Sequence, residues 1–423
     1  MLLSRLTIRS VGGSANLRLA VVSPFLDRRH GTERCVVEQI ERLARFHDWQ
    51  IHVYCQRIEQ LDCFREDGEV RTPGKDLPGI FWHKIREFPG PHLFQYLCWF
   101  AANYYRRWRD FRSGNFRPDI VYSPGINCFD ADAIAVHITF HSFYRRVRQE
   151  LRFRKLPLRM WPLSIHRRLY YRLIMALEKR IYRNGEVSLA AVSRLTAEAL
   201  HSDFGREDVK IIHNAVDADK FSPQARAGKR AAAREKFGFG DGELVLLLIG
   251  NDWKKKGLDC LLDAMAMEID LPLRLLLVGQ DDPSLYLSRI ARLGLEGKVV
   301  ISKPSEDVLS FYAAADIYTG PSIDDAFGLP VIEAMACGMV AITSAHSGVA
   351  ELITDSIDGF ILKDSFDHGT LATLLRRLYE KPALRARIGE NAGQTARQYT
   401  WDRNASQTKE FLEAALERKR SRS

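Results

Sequence analysis

The sequence predicts an α/β protein of the doubly wound, parallel-sheet type, organised as two domains. Three observations carry that prediction. Short runs of Val, Ile and Leu alternate with helical-period segments along nearly the whole chain, the pattern of parallel strands covered on both faces. The beat stops in a polar, Lys/Arg/Ala/Gly-rich stretch after Asn214 and resumes at Leu244. The length of 423 residues, 46% of them hydrophobic, suits two domains of about 200 residues, each with its own core.

The elements follow in order. Residues 17–25 (LRLAVVSPF) read as a buried strand and 32–46 as an amphipathic helix. Residues 50–55, 119–123, 132–139, 188–193 and 209–214 read as further strands of a first domain placed at 1–214. A second domain, 215–395, starts its strands at 243–250 (ELVLLLIG). Helix 258–265, strand 273–279, helix 285–293, strand 299–302, helix 308–315, strand 317–320, helix 329–337 and strand 340–344 continue it. A last helix near 406–418 has no strand after it, so 396–423 is expected to pack back toward the first domain.

Composition narrows the class. The seven cysteines are scattered without a CxxC pair, so neither a zinc site nor a disulfide framework is indicated and a reducing, cytoplasmic setting is expected. Arg5 and Arg9 interrupt the N-terminal apolar residues, which argues against a secretory signal. The longest apolar run, 93–105, is too short for a bilayer and contains Gln95 and Asn103. The net charge is +9, and residues 143–183 hold thirteen Lys/Arg against two Glu, interleaved with Phe153, Trp161, Tyr170 and Tyr171. That segment is either a solvated helical face or a surface for an anionic membrane leaflet. Nucleic acid is disfavoured, because no recognition motif accompanies the charge.

In doubly wound sheets, ligands bind beyond the C-terminal strand ends, so three loops are candidates. The first is RRHGTER (28–34), where Gly31 permits close backbone approach to an anion, or where Thr32 simply caps a helix. It does not match GxGxxG, and no Walker-type sequence occurs, which disfavours a dehydrogenase or P-loop NTPase. The second is GNDWKKKG (250–257), whose three lysines suit a phosphate clamp. The third is SIDDAFGLPVIEAMACG (322–338), read as a loop to Ala326 and a helix from Phe327 to Gly338. Free amides near Gly328 and Leu329 suit a pyrophosphate, and Pro330 fits a first turn. Asp325 could be a cap, but Glu333 lies inside an apolar helix and needs a donor, for which sugar or ribose hydroxyls serve.

These residues resemble those of the family 4 retaining glycosyltransferases, which have the GT-B fold. The resemblance rests on Asp325…Glu333 within FGLPVIEAMACG, SGVAE ending at Glu351, GNDWKKKGLDCLLDA, LLLVGQ, YAAADIYTGPS, the junction IHNAVDADKF and HGTERCVVEQIERLA. It covers most of the chain and is thinnest over 57–119 and 145–183. It implies that Glu333 accepts from the nucleotide ribose. It implies that Asp325, with Ala326 and Phe327, faces the donor sugar, and that the amides of Gly328 and Leu329, with Lys256, hold the diphosphate. Gly31 would approach the phosphates from the other domain, and Glu351 would belong to the donor site. A histidine after a first-domain strand would lie beside the transferred sugar, either His137 or His141.

Two departures stand out. Where the family usually has Glu, this chain has Asp325, a methylene shorter, so Asp324 is a substitute for the first acid position. Where the family commonly has Arg, it has Asn251, which moves the phosphate charge onto Lys254, Lys255 or Lys256. Asp281 and Asp282 are expected to form a turn rather than a metal motif. The expectation is a metal-independent, retaining transfer with no cofactor, from a UDP-, GDP- or ADP-sugar (GDP-mannose among them) to a glycan or lipid-linked acceptor of surface polysaccharide or lipopolysaccharide. A nucleotide-sugar epimerase would act on the donor alone. A non-catalytic binding subunit would bind nucleotide without turnover.

Overall fold

The structure, a computed structural model, describes residues 17–61, 64–65, 79–114, 116–147 and 161–422. In the first domain the strands are β1 (Arg18–Val22), β2 (Phe25–Leu26), β3 (Gln50–Cys55), β4 (Arg57–Ile58), β5 (Phe64–Arg65), β6 (Ile80–Lys84), β7 (Ile120–Pro124), β8 (Ala133–Val136), β9 (Ser188–Ala191) and β10 (Lys210–Ile211). Its helices are α1 (Gly31–His47), α2 (His92–Arg112), α3 (Phe140–Val147), α4 (Trp161–Tyr182) and α5 (Arg194–Phe204). Eight strands form one sheet in the order β10-β9-β8-β7-β1-β3-β6-β5, and β2 pairs only with β4. The pairings are parallel, so both faces must be covered. Strand alternation does this: Leu19, Val21, Ile51 and Val53 join α1 in one core, while Ala20, Val22, Tyr54 and Val136 join α2 in another.

The second domain contains β11 (Leu244–Ile249), β12 (Leu273–Val278), β13 (Val299–Ser302), β14 (Ile317–Gly320), β15 (Val340–Ser344) and β16 (Phe360–Leu362). Its helices are α6 (Pro223–Phe237), α7 (Leu258–Met267), α8 (Ser284–Arg292), α9 (Leu309–Ala314), α10 (Leu329–Ala336), α11 (His368–Glu380) and α12 (Pro382–Ala396). The sheet order is β13-β12-β11-β14-β15-β16, again parallel. The chain therefore winds one way from β11 and the other way from β14. Their C-terminal loops, 250–257 and 321–328, flank the switch point where such sheets bind ligands. In the first domain the winding reverses between β1 and β7, which puts the Gly31 turn at its own switch point.

The last helix, α13 (Trp401–Arg420), leaves the second domain and buries Phe411, Leu412, Ala415 and Leu416 in the core beside α1. Thr400 caps it by accepting from the Arg403 amide, and Lys419 bonds Asp132 beyond.

Several bounds differ from the sequence reading. Strand 17–25 splits into β1 and β2, because Ser23 donates to the Phe25 carbonyl across Pro24. Strands 132–139 and 209–214 shrink to β8 and β10. β4, β5, β6 and β16 are additional. β4, β5 and β16 are two or three residues long, and β6 (IFWHK) is a short apolar run followed by His and Lys, so none gives a clear alternation. Thr32 is not the cap of α1, which begins one residue earlier with His30 preceding it. The helix read from Phe327 begins at Leu329. The Phe327 carbonyl accepts instead from the Val349 amide at 2.7 Å, and Gly328 has φ 95°, so the chain turns there before it coils.

Candidate active site

Two loops of the second domain are forced together at the switch point. Gly257 has φ 84°, and a Cβ on it would lie 2.1 Å from the Pro321 carbonyl oxygen. The Ile323 amide donates to the Lys255 carbonyl at 2.8 Å. Only glycine permits that approach, and it brings the lysine loop onto the acid loop. The result is two ion pairs: Lys256 Nζ to Asp325 Oδ2 at 2.5 Å and Lys255 Nζ to Asp324 Oδ2 at 3.2 Å. Both adjacent acids are thus paired with adjacent lysines, and the Asp325 backbone N–H also donates to the His346 carbonyl.

The rest of the lysine loop is braced from behind. Asn251 Oδ1 accepts from the Gln280 amide, and Asp281 accepts from the amides of Asp252 and Trp253. Asp282 accepts from the Ser284 amide at the start of α8. Asn251 therefore fixes the neighbouring loop and adds no charge of its own.

Glu333 is buried on α10, and both of its oxygens are engaged. Tyr312 donates to Oε2 at 2.6 Å, and Arg34 Nη1 approaches Oε1 at 2.6 Å. Arg34 belongs to α1, so this ion pair crosses between domains. Burial opposes the Arg34 charge, but the facing Glu333 carboxylate outweighs it and holds the guanidinium above its usual range. Burial first and the Glu333 charge second push the Tyr312 phenol well up, so it stays a neutral donor.

Gly31 sits at the same seam. A Cβ there would be 3.2 Å from Leu329 Cδ1, so the α1 mouth abuts the α10 mouth. The turn before it is shaped by Asp27, which accepts from the Arg29 and His30 amides and meets His30 Nδ1 at 2.8 Å. Burial would raise the Asp27 carboxyl, yet these bonds hold it below its usual range. Trp401 closes the seam, with Arg34 stacked 5.8 Å from its ring centroid.

A second seam ties the domains near the linker. Ser193 donates to the Ala326 carbonyl at 2.7 Å, and a Cβ on Gly348 would meet that oxygen at 2.1 Å. Glu351 accepts from the Arg194 amide, at the start of α5, and pairs with His213 Nε2 at 2.6 Å. Its carboxylate is therefore spent on the first domain in this conformation, while Asp325, Ala326, Phe327, Gly328 and Leu329 line the mouth of α10.

The two histidines separate clearly. His137 follows β8, is buried, and its Nε2 has no hydrogen-bond partner among the described residues. It lines a cavity of ≈ 10 Å³ with Cys35, Gln39, Tyr122 and Phe411, about the room one water needs. Burial lowers its pKa to about 4, so the ring is neutral near pH 7. His141 instead meets Glu178 through Nδ1 at 2.6 Å, and its amide donates to the same carboxylate. Its ring packs edge-on against Phe204.

Sequence reasoning missed Arg34 and Tyr312, the two groups that neutralise and hold Glu333. The Arg lies in HGTERCVV, within a motif that was singled out for its glycine. Only the folded geometry brings it, 299 residues away in sequence, onto the acid of α10.

A family model described as Glycosyltransferase Family 4 matches residues 29–220, and one described as Glycosyl transferases group 1 matches residues 229–395. The chain belongs to the family 4 glycosyltransferases. The chain is 31% identical over 261 residues to a D-inositol 3-phosphate glycosyltransferase of Streptomyces avermitilis, covering 56% of this chain and 55% of that one. It is 27% identical over 229 residues to the lipopolysaccharide glucosyltransferase WaaG of Escherichia coli, covering 52% and 61%. The chain thus spans about half the length of the curated relatives it matches. The crystal structure of WaaG superposes with a TM-score of 0.72 at 20% identity, covering 93% of this chain and 99% of that one. HepE of Anabaena, solved with UDP-glucose, gives 0.65 at 19%, covering 94% and 100%. These likenesses show the GT-B fold of two Rossmann-like domains for this chain.

Proposed function

We propose that this glycosyltransferase moves a sugar from a nucleotide-diphosphate sugar to a glycan or lipid-linked acceptor of a surface polysaccharide or lipopolysaccharide, with retention and without a metal. One observation carries the reading: Lys255, Lys256, Asp324, Asp325 and the α10 mouth converge at the switch point, against the Gly31 turn of the other domain. The lysines and the amides of Gly328 and Leu329 supply positive charge for a leaving diphosphate. The diphosphate would take the lysines from Asp325 and Asp324, which frees a carboxylate to accept from donor-sugar hydroxyls. Each oxygen of Glu333 has a second lone pair for a ribose hydroxyl beside the bonds from Arg34 and Tyr312. Asp325 is the stronger candidate for the first acid position, because it pairs with Lys256, the residue directly before Gly257.

His137 is proposed beside the transferred sugar, since His141 is committed to Glu178. Its neutral ring would accept or donate one hydrogen bond without adding charge near a developing oxocarbenium ion. Closure of the two domains would keep water from that ion. The donors solved with HepE, and the names of the inositol-phosphate and lipopolysaccharide relatives, support a UDP-sugar and an anionic or lipid-borne acceptor. Peripheral contact of 143–183 with the cytoplasmic face of an anionic membrane fits such an acceptor. Residues 148–160 of that segment lie outside the described residues.

The test is release of nucleoside diphosphate from a panel of UDP-, GDP- and ADP-sugars, with glycan and lipid-linked acceptors. Acceptor-dependent release is expected, reduced about a hundredfold or more in Glu333→Ala. Unchanged turnover in that variant would remove the site assignment. Conversion of the donor alone, read by NMR, would point to an epimerase instead.

A further inference from the structure

Helix α2 buries one face in the first-domain core and leaves a second apolar face uncovered. Trp99, Phe100, Asn103 and Asp110 are the buried side. Phe94, Leu97, Tyr104, Tyr105, Trp108 and Phe111 are between 41% and 62% exposed. With exposed Ala101 between Leu97 and Tyr104, the spacing runs 94, 97, 101, 104, 108, 111, which places them in one stripe along the helix. An isolated exposed aromatic needs no explanation, but a continuous stripe of this length does.

The exposed charges on the two helices have one sign, and exposed Asp130 beside α2 is neutralised by its pair with Arg107. The single acid of α2 is Asp110, buried and bonded by Tyr54 and Arg106. The neighbouring α4 has one acid, Glu178, which is fully buried. Exposed Arg109 and Arg112 border the stripe on α2, and exposed Arg167 and Arg172 border it on α4. Arg112 stacks on Trp108 and Arg117 on Phe111, so cations and interfacial aromatics are interleaved.

The stripe also reaches the cleft. α2 follows β6, so its first turn lies at the C-terminal edge of the sheet, where the Leu93 amide donates to His166 of α4. Ile165 and Leu169 of α4 are exposed there. From α4, Tyr171 touches Phe143 of α3, and Phe143 lies under Lys255 Nζ at 5.3 Å. An aromatic path, Tyr96–Tyr170–Tyr171–Phe143, therefore links α2 to the lysine loop.

We propose that the outer face of α2, continued by the start of α4, seats the protein on an anionic lipid surface. A helix with an apolar stripe, arginine flanks and Tyr/Trp at its edges lies in the interface plane of a bilayer rather than crossing it. The occupant is decided by charge. A second copy of this chain would set arginine flank against arginine flank with no exposed acid on either helix, whereas anionic headgroups meet both flanks. The proposal rests on the reading that the acceptor is lipid-borne, and it extends the contact from the α4 part of the basic run at 143–183 onto the apolar face of α2.

The experiment is flotation of the purified full chain with vesicles of phosphatidylcholine alone or mixed with phosphatidylglycerol at about three to one. The chain is expected to float with the mixed vesicles and to be released as salt rises toward ~1 M. Leu97→Ser/Tyr105→Ser/Phe111→Ser should reduce the bound fraction about tenfold, and Arg109→Gln/Arg112→Gln about fivefold. All five side chains are exposed, so unchanged thermal unfolding is expected of both variants. Wild-type flotation by either variant, equal binding to phosphatidylcholine alone, or absence of binding would overturn the proposal. So would a dimer by light scattering that the triple substitution dissolves. Flotation reads no turnover, so its failure leaves the sugar-transfer reading standing, and loss of turnover leaves the membrane reading standing.

Discussion

Glu333 is the residue on which the proposed donor site turns, and its partners set its behaviour. Arg34 and Tyr312 hold a buried carboxylate that would otherwise lack donors. Arg34→Gln leaves that charge with one neutral donor, so unfolding in urea should show a loss of about 3 kcal/mol, with Arg34→Lys losing less. Equal stability of Arg34→Gln and wild type would show that the pair is not formed in solution. His137 gives a second test at this scale. Its folded pKa is depressed to about 4 from 6.5, so the unfolded chain binds the proton more readily between those values. Its contribution is complete above pH 6.5 and is lost as pH falls toward 4, amounting to about 3 kcal/mol. A melting-temperature profile over that range should flatten in His137→Gln, and a parallel profile would rule His137 out as the titrating group.

At the scale of elements, the glycines of the loops matter more than their lysines. Gly257 allows the lysine loop to touch Pro321, at a positive φ no other residue adopts cheaply. Gly257→Ala should lower stability by about 2 kcal/mol or more and weaken nucleoside-diphosphate binding, read by urea unfolding and calorimetry. Binding at wild-type strength would mean that loop contact is not needed for the clamp. Much of this level was legible in the chain itself. The strands 50–55, 299–302, 317–320 and 340–344 appear at the bounds their β-branched runs suggested. What was not legible was long-range: Asn251 bracing Gln280, Glu351 turned onto Arg194 and His213, and Arg34 paired with Glu333. None of these has a local signature, because each depends on which loops the two sheets bring together. The stripe on α2 was visible as an apolar run, but its two-sidedness depends on which face the sheet covers.

For the whole molecule, the domains are held by two seams and one strap. Arg34–Glu333 and Gly31–Leu329 form the first seam, Ser193–Ala326 and Glu351–His213 the second, and α13 crosses between them. Glu351→Gln should loosen the second seam and increase the radius of gyration in small-angle scattering, while a nucleotide bound across the cleft should restore compactness. An unchanged radius would mean the other contacts suffice to hold closure. The most direct measurement is isothermal titration of UDP, GDP and ADP into the wild-type chain and into Glu333→Ala. At least one nucleotide should bind the wild type, and that affinity should fall about tenfold or more without the carboxylate. Equal affinity in both proteins, or no binding by any of the three, would contradict a donor site at the mouth of α10.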